Sequence, residues 1–109
     1  MAYAYKVLGQ SAPSATTNTD VYTVGAGKQA IVSTITVANR ATSPATYRIA
    51  IRPAGATIAN QHYIAYDVPV AASDTTPITV GISLQATDVV TVYASTANLS
   101  FGIFGSEIS

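Results

Sequence analysis

Apolar and polar side chains alternate with period two along most of this chain, and no window carries the 3.6-residue period of an amphipathic helix. Successive residues of a strand point to opposite faces, so the pattern calls for strands. Between Gln29 and Asn39, Ile31, Ser33, Ile35 and Val37 share one face, and Val32, Thr34, Thr36 and Ala38 share the other. The Ile31/Ile35/Val37 face is expected to be core. Further strands are predicted at Tyr3 to Leu8, Asp20 to Val24, Ala45 to Ile51, Gln61 to Val70, Thr75 to Leu84, Val89 to Ala94 and Leu99 to Phe104. Inward positions are Tyr47, Ile49 and Ile51; then Ile64, Tyr66 and Val68; then Ile78, Val80, Ile82 and Leu84; and last Leu99, Phe101 and Ile103. Tyr47 and Tyr66 are accordingly expected in the core.

Turn residues separate these runs: Gly25-Ala-Gly27, Asn39 to Pro44, Pro53 to Thr57, Ala71 to Asp74 and Gln85 to Asp88. Eight short strands at this spacing predict an all-β fold, an antiparallel β-sandwich with jelly-roll or immunoglobulin-like topology. With 109 residues the chain is one domain. Residues 1–19 are expected to form an N-terminal strand and an extended arm (Gln10 to Thr19), and residues 20–109 the β-sandwich.

Only 9% of the residues are charged, against about 25% in a typical domain, and five Lys/Arg balance five Asp/Glu. Fifteen Thr and ten Ser supply the polarity instead. Neutral hydroxyls solvate a sheet face but create little repulsion between copies. Composition leaves open whether this is an ordinary thinly coated β domain or a subunit partly covered by neighbours. Cations do not cluster as nucleic-acid binding requires, so no nucleic-acid partner is expected. No run approaches the roughly 18 apolar residues of a membrane helix, and the opening residues lack the basic leader and apolar run of an export signal. No membrane partner is expected. There is no cysteine, which removes disulfides and thiol nucleophiles.

Candidate chemistry is sparse. Gly25-Ala-Gly-Lys-Gln29 departs from a phosphate loop, which needs Gly, four residues, then Gly-Lys-Ser/Thr opening a helix; here a strand follows, so a turn is expected. His62 is the only histidine, and no Gly-x-Ser-x-Gly accompanies it. Asp20, Asp67, Asp74, Asp88 and Glu107 are scattered, and no loop holds two acids as calcium would require. Asp20, Asp74 and Asp88 are placed to bond backbone at strand starts. No catalytic, cofactor or metal site is expected, and the chain reads as non-enzymatic. The interface candidates are Arg40, Arg48 and Arg52, the one cationic concentration, with the freer tyrosines Tyr3, Tyr5, Tyr63 and Tyr93. Arginine pairs with carboxylates through a planar fork, and a tyrosine ring packs while its hydroxyl stays wet.

Several stretches resemble small β-sandwich virion structural proteins of tailed bacteriophages, notably those of phages infecting cyanobacteria and marine bacteria. The residues that carry the resemblance are Tyr5-Lys-Val-Leu-Gly-Gln, the run from Asp20 to Arg40, Ala45 to Gly55, Tyr63-Ile-Ala-Tyr-Asp-Val and Ala86 to Phe101. Phe104-Gly-Ser-Glu-Ile completes the set, so the likeness covers nearly the whole chain. It implies a virion component made in the host cytoplasm. The leading expectation is a capsid decoration (cement) protein on the capsid exterior, a homo-oligomer of the kind that is often trimeric, with the major capsid protein as partner. A tail, neck or fibre-associated module is the alternative.

Overall fold

A computed structural model describes residues 3–109, the side chain of Tyr3 excepted. Among the described residues there are eight strands: β1 (Tyr3–Ser11), β2 (Thr19–Thr23), β3 (Gln29–Asn39), β4 (Ala45–Arg52), β5 (Tyr63–Val70), β6 (Thr75–Gln85), β7 (Val89–Ala94) and β8 (Leu99–Ile108). They form two four-stranded antiparallel sheets, ordered β1-β8-β3-β6 and β2-β7-β4-β5. The pairs β1·β8, β2·β7, β3·β6 and β4·β5 nest like the turns of one long folded ribbon. The contacts β3·β8 and β4·β7 then roll that ribbon into a sandwich. This is the strand order of a jelly roll, one of the two topologies the pattern allowed.

The core lies between the sheets. Val32, Ile35, Val37, Ile103 and Leu99 of the first sheet meet Tyr47, Ile49, Val90 and Val92 of the second. The Tyr47 ring meets Phe101 edge to face, with centroids 6.3 Å apart. Asn39 is a polar member of this interior: its amide donates to the carbonyls of Ser43 (2.8 Å), Ala71 (3.2 Å) and Val70 (3.4 Å), and its Oδ1 accepts from Ala41 N–H (3.0 Å). One side chain thereby ties the β3–β4 and β5–β6 turns together.

Bulges correct the expected facing of three residues. Ile31 was expected in the core, yet it is 42% exposed and Val32 is fully buried in its place. The cause is a bulge in β3 opposite Phe104 of β8, where Ser33 and Thr34 occupy the space of one partner residue. The extra residue reverses the facing of the N-terminal third of the strand, while Ile35 and Val37 keep their inward aim. Tyr66 is likewise 56% exposed rather than core, and Ile64 is 48% exposed. In β5 the inward residues are Ala65, Val68 and Val70, because Tyr66 and Asp67 together oppose the single residue Arg48. Asp67 takes a positive φ of 51° to make that bulge, a conformation Asp tolerates better than most residues.

The N-terminal segment is part of the sheet. β1 pairs with β8 out to Ser11, with a register shift between Val7 and Gly9. Residues 12–18 connect it to β2; Pro13 is buried there and Thr16 N–H donates to Ala94 C=O at 2.7 Å. Residues 1 and 2 of the expected 1–19 unit lie outside the described residues. β8 runs four residues beyond Phe104, because Gly105 lets the backbone cross where any Cβ would collide with the Ile31 carbonyl.

Candidate aromatic–arginine docking site

The residues of interest lie on the outer face of the second sheet. Arg48 stands directly opposite Tyr93 in the β4·β7 ladder. The β5 bulge turns both Tyr66 and Asp67 outward against it from the other side. The guanidinium therefore lies between two rings, 4.2 Å from the Tyr66 centroid and 4.2 Å from that of Tyr93. Its Nε donates to Asp67 Oδ1 at 2.7 Å and Nη2 to Oδ2 at 3.4 Å. The Asp67 hydrogen bond holds the Arg48 pKa above its ordinary value, against partial desolvation. Tyr63 extends the row, meeting Tyr66 edge to face at 4.9 Å. Beside Tyr63 and Tyr66 lies a shallow hollow of about 400 Å³ bordered by Asn60.

Three of the predicted interface residues, Arg48, Tyr63 and Tyr93, are thus brought together. Arg52 sits further along β4 with its own partners: Asp20 (3.2 Å to both carboxylate oxygens), Thr91 Oγ1 (3.1 Å) and Ala56 C=O (3.4 Å). Asp20 accepts from Thr91 as well, so it bonds side chains rather than the backbone expected of it. Asp74 and Asp88 do bond backbone: Asp74 takes Thr75 N–H, and Asp88 takes Ala54 and Gln85 N–H. Arg40 lies apart in the β3–β4 turn, donating to Ala97 C=O at 3.0 Å. Tyr5 belongs to the other sheet, 88% exposed in a cross-strand row with Ser106 and Ile31. The side chain of Tyr3 lies outside the described residues.

Tyr66 and Asp67 were the members that sequence reasoning missed. The available signal was an Asp in mid-strand, two residues before Pro69, in a segment whose partner strand carries an unmatched Arg. His62 has a local role, its Nδ1 accepting Ala59 N–H at 3.0 Å. Gly27 closes the β2–β3 turn at a φ of 73°, as the turn reading requires.

A second polar group plugs one end of the sandwich. Tyr22 Oη donates to Glu107 Oε2 at 2.8 Å, while Lys6 (3.0 Å) and Lys28 (3.4 Å) flank Oε1. The Tyr22 hydrogen bond, then Lys6, lowers the Glu107 pKa to about 2, and burial beside that carboxylate raises the Tyr22 pKa. These groups satisfy one another. A wider hollow of about 610 Å³ lies near Lys28, between two turns and residues 108–109, without a comparable set of side chains. Among the described residues, no three His, Cys, Asp or Glu side chains gather as they would around a metal ion.

The row Tyr63–Tyr66–Arg48–Tyr93 offers flat rings, phenol hydroxyls and a cation held in place by stacking. That composition matches the residues that carry binding energy at protein interfaces. Comparison with protein-family models, curated proteins and solved structures returned no match for this chain.

Proposed function

We propose that the protein is a non-catalytic structural subunit of a tailed-phage virion, a decoration protein that docks on the exterior of the assembled capsid lattice. The observation that supports this most is the pre-ordered Tyr63–Tyr66–Arg48–Tyr93 row on a rigid sheet. Its arginine is already paired and stacked, so docking need not freeze a free side chain. The phage-protein resemblance supplies the context, and the nearly uncharged faces suit lateral packing among like subunits. A subunit that binds the assembled lattice and not free coat protein stabilises the shell by mass action. A specific contact needs roughly 1,000 Å² of buried surface or more, within reach of a sheet face together with its flanking loops.

The test is co-sedimentation of the purified protein with assembled capsids and, separately, with free coat protein. Saturable binding to capsids at high copy number is expected. Tyr66→Ala together with Tyr63→Ala is expected to weaken it at least tenfold while the urea midpoint changes little. Binding to neither preparation, or undiminished binding by the double variant, refutes the docking role. The hollow beside Tyr63 and Tyr66 favours a second reading, a tail or fibre-associated adhesion module. Direct adsorption of the protein to host cells would select that one.

A further inference from the structure

We propose that β6 is a self-association edge: two copies of the chain join through it in antiparallel register about a two-fold axis at Gly81. The inference is independent of the virion role.

Each sheet of an open sandwich leaves edges whose unpaired N–H and C=O groups invite another strand, and natural proteins blunt them with charge, proline or bulges. Here the edges are β1 and β6 in one sheet and β2 and β5 in the other. Three are blunted. β1 carries Lys6, and its Gly9 is pressed against the Val21 carbonyl of β2. β2 carries Asp20, and β5 carries Asp67, Pro69 and the Tyr66–Asp67 bulge. β6 is eleven residues long without a single charge. Pro77 near its start leaves Ile78 to Gln85 free of proline. Its register toward β3 shifts where Val80 and Gly81 together face Ser33, yet its facing is kept, since exposure alternates unbroken from Thr75 to Gln85.

The occupant follows from the strand's own order. Ile78-Thr-Val-Gly-Ile-Ser-Leu84 reads the same from either end by residue type. Antiparallel pairing about Gly81 sets Ile78 against Leu84, Thr79 against Ser83 and Val80 against Ile82. Apolar inner positions meet apolar ones and hydroxyls meet hydroxyls, as favourable cross-strand pairs require. A strand of unrelated sequence has no reason to match that order; a second copy matches it throughout. The isologous symmetry also closes the contact after two copies.

Gly81 supplies an independent observation. Glycine within a strand is destabilising, and often marks close approach of another backbone. It lies at the shift of register with β3, but that shift does not demand a glycine: its φ is not positive, and a Cβ there would meet no atom within 4 Å. On the axis, two facing residues without side chains bring the backbones together unobstructed. The flank is also incompletely covered, because Ile78, Val80 and Ile82 are half-buried while Val32 and Ile35 beside them are fully buried. A second copy extends the cover over them.

Light scattering of the purified chain is expected to give twice the 11.2 kDa monomer mass at high micromolar concentration. Gly81→Lys sets like charges face to face across the axis and is expected to weaken the pair at least tenfold with an unchanged unfolding midpoint for the monomer. The double variant Thr79→Lys/Ser83→Glu places opposite charges across the same contact, so it retains the pair and makes it salt-sensitive. Because the chain has no cysteine, Gly81→Cys reports the axis directly: it cross-links under mild oxidation, and Thr57→Cys at an exposed site away from β6 does not. A monomer throughout the concentration range overturns the proposal. So does an oligomer of any size that tolerates Gly81→Lys, loses association in the charge-paired variant, or fails to cross-link at Gly81→Cys.

Discussion

Ile31 and Ile35 have the same side chain, lie on the same strand and sit four residues apart, so an unbroken strand would give both the same environment. The bulge at Ser33 and Thr34 separates them: Ile35 is fully buried and Ile31 is 42% exposed. Replacing either by Ala deletes three carbons. At Ile35 each removed carbon forfeits about 0.8 kcal/mol of transfer energy, and the unfilled space adds more, for a loss of about 3–4 kcal/mol. At Ile31 a large part of the side chain is already wet and solvent fills the gap, so about 1 kcal/mol is expected. With a urea dependence of about 1–1.5 kcal/mol per molar for a domain of this size, the two midpoints separate by about 2 M. Equilibrium unfolding followed by tyrosine fluorescence and circular dichroism measures both. Equal losses would show that the two residues share a face and that β3 has no bulge.

Asn39→Asp preserves shape but cannot donate to the three carbonyls its amide serves, so a loss of at least about 3 kcal/mol is expected from urea titration, more than for most surface changes. Glu107 has a folded pKa of about 2 against an ordinary 4.5; its contribution is therefore complete above about pH 4.5 and is lost as pH falls toward 2. Thermal midpoints taken from pH 6 to pH 2 should fall, and Glu107→Gln should flatten that part of the curve. Tyr22, whose pKa is raised, acts at the other end: its contribution is present below pH 10 and declines as alkali ionises the unfolded phenol. At the Asp67 bulge, Asp67→Gly accommodates the positive φ and Asp67→Ala does not, so the alanine variant should be the less stable by about 1 kcal/mol in parallel melts.

The alternation of β6 and β8 was legible because their inward residues, from Ile78 to Leu84 and from Leu99 to Ile103, keep phase along the strand. What alternation cannot register is an added residue. A bulge is a property of two strands, since the surplus exists only relative to the partner, and a single sequence does not name the partner. Ile31 and Tyr66 were misplaced for that reason. The predicted strands stop at Leu8 and Phe104, whereas the next residues, Gly9 and Gly105, lie inside strands at points of close backbone approach. The docking row was half visible. Arg48, Tyr63 and Tyr93 stood out by residue type, but Tyr66 joins them only through the displaced register of β5. Pairing of Arg48 with Asp67 and of Arg52 with Asp20 depends on strand order, and so was out of reach.

The nested ribbon also has a consequence in time. β4 and β5 are adjacent in the chain and can meet early, whereas β1 and β8 are the most distant partners. Yet β8 occupies the interior of its sheet, between β1 and β3, and the earlier strands on either side have no ladder to each other until it arrives. Large loops must therefore close before that layer exists, which places the molecule among slow folders. During synthesis, the unoccupied slot between β1 and β3 would be the stretch most in need of shielding from other nascent chains.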